Sequence, residues 1–222
     1  MDPALYAYPP AERPWVRSNF VATIDGTVTD ADGVSGSLGG TADQRAFTIM
    51  RSLADVVLVG AGTARTEDYG AIDPADLDPT LPEARTPRLA VVSHRLDVPD
   101  RLRAPGVVVV TTTDAAPGAV ADLREAGVEV LQYGEASIEW PHVLADLHER
   151  GMSRVLCEGG PSLHGELVAR DLIDEVCLTV APVLTTGGPG ITHHPGQEQR
   201  PFSLAHAVVE DGVLLTRWTR ER

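Results

Sequence analysis

The sequence predicts an α/β fold: a mixed, mostly parallel central sheet with helices on both faces, in three layers. Two observations carry this. Short Val- and Leu-rich runs recur along the chain, continuous rather than alternating, as in strands covered on both faces. Segments with apolar residues at helical spacing lie between them, the order that builds helices onto a parallel sheet. The composition is 43% hydrophobic but only 5% aromatic, so the core must rest on Val, Leu, Ile and Ala.

The first strand is read over 15–24 (WVRSNFVATI). A helix over 41–53 follows, capped by Thr41 and placing Ala46, Phe47, Met50 and Leu53 on one face. Strands follow at 55–59 (DVVLV), 88–92 (RLAVV), 106–110 (GVVVV) and 128–131 (VEVL). Helices over 118–126 and 138–150 each end at a glycine, Gly127 and Gly151. A strand at 154–157 (RVLC) leads into a helix over 161–170. Strands at 175–183 (EVCLTVAPV) and 213–218 (VLLTRW) close the chain. The last strands have no helix between them, which makes that edge antiparallel. Residues 73–87, with four prolines, and residues 187–201 read as surface loops. The expected organisation is an N-terminal extension over 1–14 and a single domain over 15–222.

Composition removes several functions. All 18 basic residues are arginine, so there is no Schiff-base lysine, no pyridoxal phosphate anchor and no lysine-bearing phosphate loop. A formal charge of −14 argues against nucleic acid, whose binders displace counterions with a basic face. No window approaches the roughly 18 apolar residues of a membrane span, and residues 1–14 lack the basic start and apolar core of a signal peptide. Cys157 and Cys177 sit in apolar runs and are expected as buried reduced thiols, hence a cytoplasmic protein. No C-x-x-C, H-E-x-x-H or G-x-S-x-G occurs, so no zinc site and no serine hydrolase is expected. His193 and His194 read as a solvated loop, and His94, His142, His148, His164 and His206 as surface or packing residues.

Three turns could carry chemistry. In Cys157-Glu158-Gly159-Gly160-Pro161-Ser162-Leu163 a strand ends, two glycines allow close approach, and proline opens a helix. The N–H groups of Ser162 and Leu163 would face outwards as an anion site; a plain strand-to-helix turn fits equally. Glu158 stands where α/β sheets place ligands. Gly60-Ala61-Gly62-Thr63 follows a strand, but Arg65 breaks the G-x-G-x-x-G fingerprint, and a turn with positive φ is the simpler reading. Thr23-Ile24-Asp25-Gly26 reads as a turn.

Taken together and in order, Asn19 to Gly26, Val59 to Thr63, Glu158 to Leu163, and Leu172 to Pro182 resemble the reductase domain of riboflavin biosynthesis. That is the pyrimidine reductase family, which has the dihydrofolate reductase-like fold. The resemblance covers the chain from about Trp15 onwards.

The resemblance implies an NADPH-dependent reductase whose usual substrate is 5-amino-6-(5-phosphoribosylamino)uracil, the ribose being opened and reduced. It places Gly159, Gly160, Ser162 and Leu163 on the NADPH diphosphate, with Gly159-Gly160 often joined by a cis peptide in this fold. Gly60, Gly62 and Thr63 would line the cofactor. Ser93 and Arg95 would meet the adenosine ribose, Arg95 as the partner of a 2′-phosphate. Thr112 would lie near the adenine. Asn19, Ala22, Gly26, Ser35 and Arg51 would contact substrate. Asp25 and Glu158 would be catalytic, one of them supplying or relaying a proton through a carboxyl of raised pKa. No metal is implied, and the expected partners are a small molecule and a second copy of the chain, the late strands lying near that interface.

The sequence departs from the family at Thr27, where Lys or Arg is usual; at Gly39, in a threonine position; and over 67–72, where EDYGAI replaces Asp-Asp-Pro-x-Leu-Thr. These positions tend to serve the ribose phosphate, and Arg51 and Arg65 are the cations left to compensate. Two other readings share the residues: a dihydrofolate- or pteridine-type reductase, and a non-catalytic NADPH-binding module.

Overall fold

The computed structural model describes every residue except 11, 82, 83, 198 and 222, so parts of the extension read over 1–14 and of the loops read over 73–87 and 187–201 lie outside the described residues. Nine strands form one sheet: β1 (Trp15–Thr23), β2 (Val56–Gly60), β3 (Arg88–Val92), β4 (Val107–Thr111), β5 (Glu129–Gln132), β6 (Arg154–Cys157), β7 (Glu175–Ala181), β8 (Ser203–Glu210) and β9 (Val213–Thr219). Their spatial order is β5-β4-β3-β2-β6-β1-β7-β9-β8. The strands from β5 to β7 in that order pair in parallel, while β9 pairs antiparallel with both β7 and β8. The expected antiparallel edge is therefore present.

Helices α1 (Gly40–Leu53), α2 (Ala61–Thr66), α3 (Pro117–Glu125), α4 (Trp140–Glu149) and α5 (Pro161–Ala169) form the outer layers. The strands divide their side chains by parity. Val57, Val59, Leu89, Val91, Val107 and Val109 pack with Ala46, Ile49 and Met50 of α1 and with Val120 and Leu123 of α3. Val56, Leu58, Ala90, Val92, Val108 and Val110 pack with Trp140, Val143 and Leu147 of α4 and with Leu163 and Leu167 of α5. Side chains on successive strand residues point to opposite faces, so an unbroken Val run feeds both layers. Cys157 and Cys177 are buried free thiols.

Four expectations are corrected. The helix read from Thr41 begins at Gly40 with Gly39 at its cap and no side-chain capping bond. Its buried face also carries Ile49, and Leu53 packs partly buried against the same cluster, while Phe47 turns towards a cleft. The turn of positive φ at Gly60 is instead the start of α2, Gly60 having φ −72. Strand β8 was not anticipated.

Residues near the N-terminus lie against the sheet. Tyr6, in a 3-10 turn over Pro3–Tyr6, is 3% exposed. The fully buried Arg17 donates to Glu175 at 2.5 Å and to the Tyr6 carbonyl at 2.7 Å, and its guanidinium lies 3.9 Å from the Tyr8 ring centre. Glu175 also accepts from Arg217 at 3.0 Å. Removing one member would strand a buried charge, the costly way to break such a network.

Candidate functional site

Strands β2 and β6 are neighbours, and both end in glycine-rich turns. The two turns are stapled together: Glu158 N–H donates to the Leu58 carbonyl at 2.9 Å, and Gly60 N–H donates to the Gly159 carbonyl at 2.7 Å. The Gly159–Gly160 peptide is cis. A Cβ on Gly160 would press into Thr63 Oγ1, and one on Gly60 would lie 3.6 Å from Gly160 N. A side chain is thus resisted at Gly160, whereas one at Gly60 would make only ordinary contact. Pro161 occupies the first turn of α5. The first backbone bond of that helix is His164 N–H to the Gly160 carbonyl at 3.0 Å. The Ser162 and Leu163 N–H groups precede it and head the helix.

A cleft of about 1110 Å³ opens along the carboxyl ends of β1, β6, β2 and β3. β6 stands between β1 and β2 although it is remote from both in sequence, and ligands of open α/β sheets bind where the strand order switches. Asn19, Ser35, Arg51, Gly60, Gly62, Thr63, Ser93, Arg95, Glu158, Gly160, Ser162 and Leu163 all line it. The structure thus gathers most of the predicted site from positions scattered over nearly 150 residues.

Five predicted residues do not line it: Ala22, Asp25, Gly26, Thr112 and Gly159. Gly159 is covered by the Phe20 ring, which a Cβ there would meet at 3.0 Å. Thr112 is buried beyond β4, its carbonyl accepting from Gln132 at 3.2 Å. Gly26 lies in an exposed turn with φ +89. Ala22 is buried with Phe20 and Val28 on the α5 face of the sheet. Asp25 accepts from Thr185 N–H at 3.0 Å and from the Thr23 hydroxyl at 2.8 Å. Those bonds, led by the one from Thr185, hold its carboxyl below the ordinary range. This is opposite in direction to the raised value expected of a proton donor. Thr27 also stands off the cleft, where a Cβ on Gly188 would press into its methyl group.

Glu158 sits in the wall beside α1. Arg51 donates to its two oxygens at 2.8 and 2.7 Å, and the Tyr69 hydroxyl donates to Oε2 at 2.7 Å. Burial, then the Glu158 charge, raises the Tyr69 phenol well above its ordinary value and keeps it neutral. Burial works against the Arg51 cation, but Glu158 more than offsets it and the net shift is upward. Arg51 also lies 4.1 Å from the Phe47 ring centre. Tyr69 stands in the 67–72 stretch that departs from the family pattern, but its bond to Glu158, 89 residues away, was not foreseen from sequence.

The other cleft arginines differ in commitment. Arg65 pairs with Asp97 at 2.6 Å, and Arg101 pairs with Asp68. Arg95 has no ion-pair partner among the described residues. It is the one cleft arginine there without such a partner, and it lines the same cleft as the α5 start, whose N–H groups favour negative charge. Of the histidines, His193 and His194 are exposed, as expected of a loop, while His164 is 1% exposed and packs against Phe20 with ring centres 4.7 Å apart. No helix is long and apolar enough to cross a membrane among the described residues.

A family profile described as the RibD C-terminal domain matches residues 14–214. The 2,5-diamino-6-ribosylamino-4(3H)-pyrimidinone 5′-phosphate reductase of Methanothermobacter thermautotrophicus is 30% identical over 184 residues, 79% of this chain and 81% of that one. The enzyme of the same name from Aquifex aeolicus is 28% identical over 225 residues, covering 93% and 96%. A solved pyrimidine reductase-like protein from Corynebacterium diphtheriae superposes with a TM-score of 0.79 over 94% of this chain and 92% of that one, at 23% identity.

Proposed function

We propose, from the premise that this chain belongs to the RibD C-terminal domain family, that it is a reductase of riboflavin biosynthesis acting on a ribosylamino-pyrimidine. Its relatives are named as reductases of that kind, and the sheet order and cleft are those of the expected dihydrofolate reductase-like fold. The reducing group is a nicotinamide dinucleotide, NADPH in this reading.

The observation that carries the reading is the contact between the two glycine turns, with a free arginine near by. The turns fit a diphosphate: side chains are absent where Gly60 and Gly160 meet, and a Cβ on Gly160 would fill the gap to Thr63. Ser162 and Leu163 N–H groups hold its oxygens at the head of α5. Gly60, Gly62 and Thr63 flank it. Ser93 and Arg95 take the adenosine ribose, Arg95 binding a 2′-phosphate by charge-assisted bonds. When bound, the nicotinamide supplies hydride to the sugar carbon.

The chain's own residues position the substrate and handle a proton. Asn19, Ser35 and Arg51 face it from β1, the following loop and α1. Glu158, fixed by Arg51 and Tyr69, holds a water against the accepting atom, and the proton reaches that atom by this route. Asp25, an ionised surface group off the cleft, takes no part. The reading includes a homodimer. Leu204 and Val209 of edge strand β8 and Leu214 of β9 are 51, 76 and 37% exposed, which supports an interface on the outer strands, β7 lying inside the sheet.

The test is fluorescence titration with NADPH, then an absorbance assay of its oxidation with ribosylamino-pyrimidines. Saturable binding and turnover are expected. Binding without oxidation by any pyrimidine, pterin or folate would replace the enzyme with a cofactor-binding module, and absence of binding would overturn the reading.

A further inference from the structure

Ser35 N–H donates to Glu67 Oε1 at 2.7 Å. Glu67 caps the end of α2, which follows β2, and Ser35 lies between β1 and α1. Strand β6, whose end carries Glu158, stands between β1 and β2. The bond therefore runs across the half of the cleft assigned to substrate, and both its residues line that cleft. Among the described residues it is the only hydrogen bond that ties the loop over 30–37 to a distant part of the chain. Inside the loop, Asp30 accepts from Asp32 N–H at 2.9 Å and from Val34 N–H at 3.1 Å.

Three groups in this half suit an anion, and each faces a carboxylate of the chain itself. The Ser35 N–H holds Glu67. Arg51 commits Nε and Nη2 to Glu158. The start of α1, where unpaired N–H groups favour negative charge, carries Asp43 in its first turn. That carboxylate folds back over Gly39, where a Cβ would press into it. Turning Arg51 to a ligand would strand Glu158, whose side chain is 2% exposed, as an uncompensated buried charge. The rim arginines are also engaged beyond their ion pairs. Arg101 donates to the Tyr69 and Asp68 carbonyls, and Arg65 to the Asp97 carbonyl at 3.1 Å. What the cleft does offer is neutral: Asn19, Ser35 and Gln44 line it, and amide and hydroxyl side chains both donate to and accept from hydroxyl groups.

We infer that this half of the cleft takes a ribosylamino-pyrimidine whose sugar carries hydroxyl groups and no phosphate, and that Glu67 sets the preference. A phosphomonoester at Ser35 would find the N–H already taken and would meet the Glu67 carboxylate as like charge. A hydroxyl group meets no such penalty and can use the Ser35 side chain. The inference rests on the reductase reading and adds the charge of the substrate. It separates this chain from the relatives whose names specify a 5′-phosphate.

The experiment measures NADPH oxidation with two rings, 5-amino-6-ribosylaminouracil and 2,5-diamino-6-ribosylamino-4(3H)-pyrimidinone, each as the free nucleoside and as its 5′-phosphate. On whichever ring is reduced faster, the nucleoside should show a kcat/KM at least about 10-fold above the ester, the scale of one like-charge contact in a partly screened site. The ratio should narrow as added salt screens that contact. Glu67→Gln keeps an acceptor for the Ser35 N–H and removes the charge, so it should move the ratio towards the ester by roughly 10-fold. An ester reduced as well as the nucleoside, or better, overturns the inference and leaves the reductase reading intact. A nucleoside preference that Glu67→Gln leaves in place also overturns it. If that variant does not fold, the wild-type ratio and its salt dependence decide. Reduction of neither form of either ring overturns the reductase reading, and the inference with it.

Discussion

Arg51 meets Glu158 side-on, its Nε and Nη2 donating to different carboxylate oxygens at 2.8 and 2.7 Å across 107 residues of sequence. The Tyr69 hydroxyl takes a further site on the same carboxylate. A carboxylate held by three donors is oriented, so its chemistry is to fix its neighbours and a water.

Glu158→Gln keeps the shape but loses the charge that Arg51 requires. Turnover should fall roughly 100- to 10,000-fold, the scale of one positioned proton-handling group, with NADPH affinity nearly unchanged. Steady-state kinetics beside a fluorescence titration separate the two. Equal loss of both would make the residue structural.

Among the described residues Arg95 is the cleft arginine without an ion-pair partner, so its removal leaves no buried carboxylate behind among them and should not disturb folding. Arg95→Gln should weaken NADPH roughly 10- to 100-fold, the range for a lost charge-assisted bond. NADH, which has no 2′-phosphate, should bind both proteins alike. Competitive titrations of the two dinucleotides measure this, and a parallel loss of NADH would place Arg95 elsewhere.

Gly160→Ala drives a methyl into Thr63 Oγ1. NADPH affinity should fall by at least about 10-fold, since a displaced turn no longer aims its N–H groups. Thr63→Ala removes the obstructing oxygen, so the double variant should recover part of the loss. Non-additivity in that double-mutant cycle is the readout; strictly additive losses would show that the two turns do not act as one cradle.

Much of this was legible in the sequence because the interior strands are plain. VVLV and GVVVV admit no solvent face, and each was found within a residue or two of its bounds. Ser203–Glu210 was missed for the opposite reason. SLAHAVVE is an edge strand with little of it buried, and its mixed residues satisfy no simple period. Ala61–Thr66 was missed because Gly60 and Gly62 read as turn residues, although both adopt φ that any residue allows. In the site, the Glu158-to-Leu163 turn is local and announces itself. The Arg51–Glu158–Tyr69 cluster is made of partners 89 and 107 residues apart, and nothing in the separate segments connects them.

His164 gives the chain an acid sensitivity of definite sign. Its Nδ1 faces the Ile191 carbonyl at 2.8 Å; a carbonyl only accepts, so Nδ1 carries the proton. Its Nε2 is buried without a partner among the described residues. Burial lowers the imidazole pKa from 6.5 to about 4, the Ile191 bond opposing. The unfolded chain therefore binds a proton between pH 6.5 and about 4 that the folded one refuses, so stability rises with pH across that window and is lost on acidification. The full span is on the order of 3 kcal/mol. His164→Asn retains a donor near the Nδ1 position but does not titrate. It should cost some packing against Phe20 at neutral pH, and its thermal midpoint should fall less steeply than that of the wild type as pH drops through the window. Carboxylates such as Asp25, held low in the fold, destabilise both proteins alike in acid, so the difference between the two curves isolates the histidine. Parallel curves would mean that His164 is not held neutral by the fold.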